Sequence, residues 1–184
     1  LKERFGTYDA DLWEKQDIII QDQLGEDRVF GMYGMEPLKY CFEDYFDAIE
    51  VEAPEDENYV FEFNGKRIGG KDTLSKLGIE DRVKFEVNRI DKVAVTFRTS
   101  SGGDRTVLAR KTEMISKVLV DSDEDFFEER SKYAFLHGGK RIYGFESPIA
   151  LDMKPRGNEI DVIPAEQYKC KNCVCCNPSL AAKD

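Results

Sequence analysis

Tyr59-Val-Phe-Glu-Phe-Asn-Gly-Lys-Arg-Ile68 and Tyr133-Ala-Phe-Leu-His-Gly-Gly-Lys-Arg-Ile142 are two versions of one segment. Each is a short β-like run, then a glycine turn, then Lys-Arg-Ile. Strand-like alternation buries one face of a sheet. Each copy continues through a small connector with a Leu anchor into an apolar–acidic–apolar strand. That strand is Val83-Lys-Phe-Glu-Val87 in the first copy and Glu159-Ile-Asp-Val-Ile163 in the second. The copies lie 74 residues apart, counted from Tyr59 to Tyr133. Solenoid units repeat at about 20–50 residues, so this period suits a small complete domain. The chain reads as two related domains in tandem.

Upstream of each copy the pattern also matches. Asp17–Gln21 reads as a strand, Gly25-Glu-Asp as a turn and Arg28–Tyr33 as the returning strand. Pro37 suits the first turn of a helix, where its missing N–H costs nothing. Leu38, Cys41, Phe42, Tyr45 and Ile49 follow on one helical face. In the second copy the strands are Lys92–Arg98 and Thr106–Arg110, joined by Ser100-Ser-Gly-Gly-Asp104. Thr112 is expected to cap a helix with Ile115, Val118, Leu119 and Phe126 on its apolar face. The predicted boundaries are an N-terminal extension over 1–16, a first domain over 17–91, a second over 92–164 and a Cys-rich tail over 165–184. The joint from Asn88 to Asp91 is short enough to restrict reorientation.

Charge separates the two halves. Residues 1–91 carry 12 basic and 23 acidic side chains, whereas residues 92–165 carry 12 of each. An acidic first half repels phosphate, so direct binding of nucleic acid is not expected. No apolar run approaches the roughly 18 residues of a membrane span, so a membrane partner is not expected. The absence of a paired-Cys framework in the domain bodies points to a reducing compartment, nuclear or cytoplasmic.

Hairpin, helix, strand, connector, strand is the order of the β-grasp fold. Within it the chain resembles SUMO-like domains. The residues that carry the resemblance are Pro37-Leu38-Lys39 with Glu43-Asp44-Tyr45, the two Gly-Lys-Arg-Ile corners, Asp72-Thr73 with Leu77-Gly78, and Ile160-Asp161-Val162. It covers residues 17–164 and implies an α+β fold class of two tandem β-grasp (ubiquitin/SUMO-like) domains. Neither closing strand runs into Gly-Gly: Val87 meets Asn-Arg-Ile-Asp, and Val162 meets Ile-Pro-Ala-Glu. The glycine pairs at 69–70, 102–103 and 138–139 read as turns needing positive φ. The resemblance is therefore to genome-stability adaptors with two non-conjugated SUMO-like domains. It implies non-catalytic docking of proteins, including the SUMO-conjugating enzyme.

Two surfaces are candidates by the same resemblance. One is the groove between the second strand and the helix, where an extended acidic–apolar peptide adds a strand to the sheet edge. In the second copy this groove offers Val107, Leu108, Arg110, Lys111 and Lys117. The first copy offers only Lys39 near Arg28–Tyr33, so charge favours the second. The other surface is the outer sheet face, with Arg98, His137, Lys140 and Arg141. Its first-copy equivalents are Asn64, Lys66 and Arg67.

Cys170, Cys173, Cys175 and Cys176 are candidate ligands for zinc, which four thiolates hold tetrahedrally. The first pair has normal half-site spacing and the second is compressed. Half of a larger zinc module, a metal–thiolate cluster, lipid attachment and a tail without metal all stay open. Catalysis finds little support, because His137 lacks a nucleophilic partner and Cys41 lies on the apolar helix face. The rival reading is a structural subunit that uses the fold only as scaffold.

Overall fold

The computed structural model describes residues 14–52, 55–100, 102–122 and 132–168. It divides into two units, Leu1–Lys92 and Val93–Asp184. Most of the N-terminal extension, Phe126 and the four tail cysteines lie outside the described residues.

The first unit runs β1 (Lys15–Gln21), β2 (Asp27–Tyr33), α1 (Lys39–Ala48), β3 (Tyr59–Phe63), β4 (Lys66–Ile68) and β5 (Val83–Arg89). The second runs β6 (Lys92–Thr99), β7 (Arg105–Arg110), α2 (Ile115–Ser122), β8 (Tyr133–His137), β9 (Lys140–Ile142) and β10 (Asn158–Pro164). The strand orders are β2-β1-β5-β3-β4 and β7-β6-β10-β8-β9, which are the same order read twice. In each sheet the first and last strands pair in parallel, β1 with β5 and β6 with β10. A parallel pair needs a long crossover, and the helix lies in that crossover. These are two tandem β-grasp units of the α+β class. No described helix is long and apolar enough to cross a membrane.

Each core follows strand alternation. Ile18, Ile20, Phe61, Phe85 and Val87 point inward beneath Leu38, Cys41 and Tyr45. Val93, Val95, Phe97, Phe135, Ile160 and Val162 do the same beneath Ile115, Val118 and Leu119. Burying one such side chain is worth about 1.5–3 kcal/mol.

The repeated hairpins share their turn chemistry. Asn64 and Gly65 have φ of 51° and 71°, and Gly138 and Gly139 have φ of 55° and 75°. Two successive left-handed residues make the tight turn that matches strand twist. Gly70 is a glycine for another reason, since it is not among the positive-φ residues. A Cβ there would lie 2.9 Å from Lys39 Cβ, so the connector could not pass the helix start.

Two expectations about helix starts change. Thr112 does not cap α2, which opens three residues later at Ile115. Pro37 precedes the cap position Leu38 and is not in the first turn. The reason is common to both helices: backbone carbonyls of the connector take the first amides. Leu38 N–H and Lys39 N–H donate to Asp72 and Gly70, and Ile115 N–H and Ser116 N–H donate to Glu146 and Gly144. Orphan donors satisfied in this way need no side-chain cap.

Candidate protein-binding site

β7 has a strand neighbour on one side only among the described residues, so its other side offers unpaired amides and carbonyls. Its residues alternate. Ala109 is fully buried and Val107 is half-buried against the core, while Thr106 and Arg110 are exposed on the other face and Leu108 is half-buried there. Thr106 Oγ1 meets Thr96 Oγ1 at 2.9 Å and ties the edge to β6. Arg110 and Lys111 follow at the end of the strand. Neither side chain has an ion pair within the described residues. Lys117 on α2 is paired with Glu113 at 3.2 Å, one helical turn away. Lys117 is 62% exposed and an i,i+4 pair holds by only about 0.3–0.5 kcal/mol, so Lys117 can exchange partners.

The corresponding edge of the first unit is β2. Arg28 approaches Glu26 at 3.9 Å, and Asp27 is bound by Lys84 at 3.0 Å. The Lys39 ammonium lies 4.6 Å from the Tyr40 ring centre. The cations of this edge are thus already engaged locally, in contrast to Arg110 and Lys111.

The outer sheet faces differ at matched positions. Gln21, Glu86, Glu62 and Arg67 form a row across the first unit. The same row in the second is Arg98, Asp161, Leu136 and Arg141. Strand register therefore brings Arg98 and Arg141 to one face, three strands apart, with Lys140 beside Arg141. Arg98 meets Glu159 at 2.6 Å and Asp104 at 3.9 Å. Arg141 packs between aromatic rings, 5.3 Å from the centre of Tyr143 and 5.0 Å from that of Tyr168. Lys140 is exposed and makes no ion pair within the described residues. In the first unit Lys66 and Arg67 are also exposed.

His137 Nδ1 lies 3.0 Å from the Glu159 carbonyl, so the ring is tied to the neighbouring strand. Burial, with Asp44 and Glu36 adding to it, pushes the Cys41 thiol up to about 12. A thiol held protonated is neither a nucleophile nor a metal ligand near neutral pH. Among the described residues no group of three His, Cys, Asp or Glu could hold a metal ion. Sequence reasoning did not find Tyr143 and Tyr168, which enclose Arg141. The signal for Tyr143 was present: it stands where the first copy has Gly69.

No family model matches the chain, and no curated protein matches it. Among solved structures the chain is similar to a Caldiarchaeum subterraneum ubiquitin, with 14% identity and a TM-score of 0.36. That match covers 40% of this chain and 91% of the ubiquitin. The fold assignment rests on strand order and helix placement.

Proposed function

We propose that the chain is a non-catalytic protein-binding adaptor whose second unit docks an extended acidic–apolar peptide along β7. The observation that carries this reading is the edge itself. A strand paired on one side only ends in Arg110 and Lys111, which have no carboxylate partners among the described residues. A peptide added there gains main-chain hydrogen bonds, and its acidic flank faces the cations. Val107 and Leu108 meet its apolar residues from the two faces, and Lys117 exchanges Glu113 for the peptide. By its resemblance to tandem SUMO-like adaptors, the Arg98–Lys140–Arg141 face takes the SUMO-conjugating enzyme in a nuclear or cytoplasmic setting. Zinc held by Cys170, Cys173, Cys175 and Cys176 belongs to the same proposal.

The test is fluorescence anisotropy with a labelled peptide carrying a Val/Ile run followed by Asp and Glu. Arg110→Glu/Lys111→Glu is expected to weaken binding at least tenfold, and Arg98→Glu/Lys140→Glu to leave it within twofold. Equal binding by both variants would remove the β7 reading. A second reading, a structural subunit, is favoured by the local engagement of Arg98 and Arg141. It predicts no binding of this peptide at all.

A further inference from the structure

The helix of each unit covers β3–β4 or β8–β9 with a different side chain. Matching the helix starts by their hydrogen bonds sets Leu38 against Ile115, and therefore Phe42 against Leu119. Phe42 stacks on Phe61 at 3.8 Å with the rings 7° from parallel. Phe46 adds edge contacts to Tyr59 and Phe61 at 5.3 and 5.6 Å. In the second unit Leu119 stands before Phe135, and a cleft of about 270 Å³ is open there. It is lined by Ser116, Leu119, Tyr133, Phe135, Ile142 and Gly144, with Arg141 and Tyr143 also on its wall. Among the described residues no carboxylate lines it.

The mouth of this cleft also departs from the first unit. Gly69, Lys71 and Ser75 of the first connector correspond to Tyr143, Phe145 and Ile149 of the second. Those three apolar residues are 65%, 69% and 62% exposed. Tyr143 and Phe145 stack on each other, 6.0 Å apart and 7° from parallel. The loop that presents them is fixed. Glu146 accepts from the amides of Tyr143 and Gly144 at 2.9 and 2.8 Å, and Gly144 accepts from Ser116 at 2.8 Å. Rigid exposed aromatics beside a pocket are the usual anchors of protein interfaces.

We infer that this cleft is a second binding site, which takes one bulky apolar side chain of an acidic partner peptide. The volume sits just below the roughly 300–1,000 Å³ of small-molecule pockets, which fits a single side chain better than a cofactor. Charge identifies the flanks. Arg141 lines the cleft with no carboxylate partner among the described residues, and exposed Lys140 precedes it in β9, so acidic residues beside the anchor meet positive charge. The site lies at the β8–β9 end of the sheet, away from the β7 edge, and does not depend on that edge.

The test uses the full chain and the labelled peptide Asp-Glu-Phe-Glu-Asp, with Asp-Glu-Ala-Glu-Asp as control. The first peptide is expected to bind at least tenfold more tightly than the second and to shift the amide signals of Ser116, Leu119 and Gly144. Leu119→Phe, which fills the cleft as Phe42 does, is expected to abolish the difference. Tyr143→Gly/Phe145→Lys changes only exposed residues and is expected to weaken binding at least fivefold with an unchanged melting midpoint. Arg110→Glu/Lys111→Glu is expected to leave it intact, which separates this site from the β7 edge. Equal affinity for the two peptides, or a footprint on β7, would overturn the inference. So would partition into phosphatidylserine vesicles without any peptide binding.

Discussion

Where the helix faces β3–β4 the first unit is filled by aromatic rings, and at the matching β8–β9 face of the second a cleft remains, although the two share strand order, the β3–β4 and β8–β9 hairpin turns and helix capping. In the first, Phe42 and Phe46 cover Phe61, Lys39 lies over its neighbour Tyr40, and Gly69 stands where the second unit has Tyr143. In the second, a cleft remains beside Leu119, Arg110 and Lys111 have no acidic partner among the described residues, and Tyr143 and Phe145 stand exposed. The skeleton is fixed by inward-facing residues and by turn geometry. Binding capacity is set by a handful of positions that the skeleton does not constrain, so duplication leaves one copy available to diverge.

The largest expected effect tests whether the cores are separate. Phe85 is fully buried in the first unit, and Phe85→Ala is expected to destabilise that unit by about 3–5 kcal/mol. Hydrogen exchange should show lost protection in β1 to β5 and none lost in β6 to β10. Uniform loss would mean that the units melt as one.

Alkali should distinguish the units next. The Cys41 thiol ionises near 9 in the unfolded chain but only near 12 when buried. Because the folded value is raised, its stabilisation is complete below pH 9 and is lost as pH rises toward 12. The shift amounts to at most about 4 kcal/mol. Val118 occupies the matching position of α2 and does not titrate. Cys41→Val should therefore reduce alkaline loss of stability, read as denaturant midpoints at pH 8 and pH 11. An unchanged difference between those midpoints would contradict the assignment.

Gly144→Ala should cost about 1–3 kcal/mol. It places a side chain at φ +89° and its Cβ 3.1 Å from Ser116 Cβ. Gly70→Ala meets a 2.9 Å contact with Lys39 Cβ but no positive φ, so its penalty comes from contact alone. Urea midpoints of the two variants compare the two causes. The smallest effect belongs to Arg98→Ala. Its ion pairs with Glu159 and Asp104 are half-exposed, and the change should stay within about 1 kcal/mol.

Much of this architecture was legible in the chain. The Tyr59 and Tyr133 segments announce strand, left-handed turn and strand, because alternation and Asn-Gly or Gly-Gly are local signals. The apolar positions of α1 carry the period of its buried face. The start of α2 was not legible, because carbonyls of Gly144 and Glu146, thirty residues downstream, replace the cap expected of Thr112. Positive φ was the expected reason for glycine at position 70, but close approach to Lys39 is the actual one. The pairing of Arg98 with Glu159 depends on parallel register between β6 and β10, which no local pattern encodes. The cleft was hidden for a related reason. Leu119 is an ordinary core residue until the hydrogen-bonded helix starts match it with Phe42.

The central claim is that binding belongs to the second unit. The most direct measurement is an amide chemical-shift titration of the full isotope-labelled chain with the Val/Ile–Asp/Glu peptide. The account predicts shifts along Arg105–Arg110 and at Lys111, with none along Asp27–Tyr33. Equal shifts on both edges, or shifts on Asp27–Tyr33 alone, would contradict it.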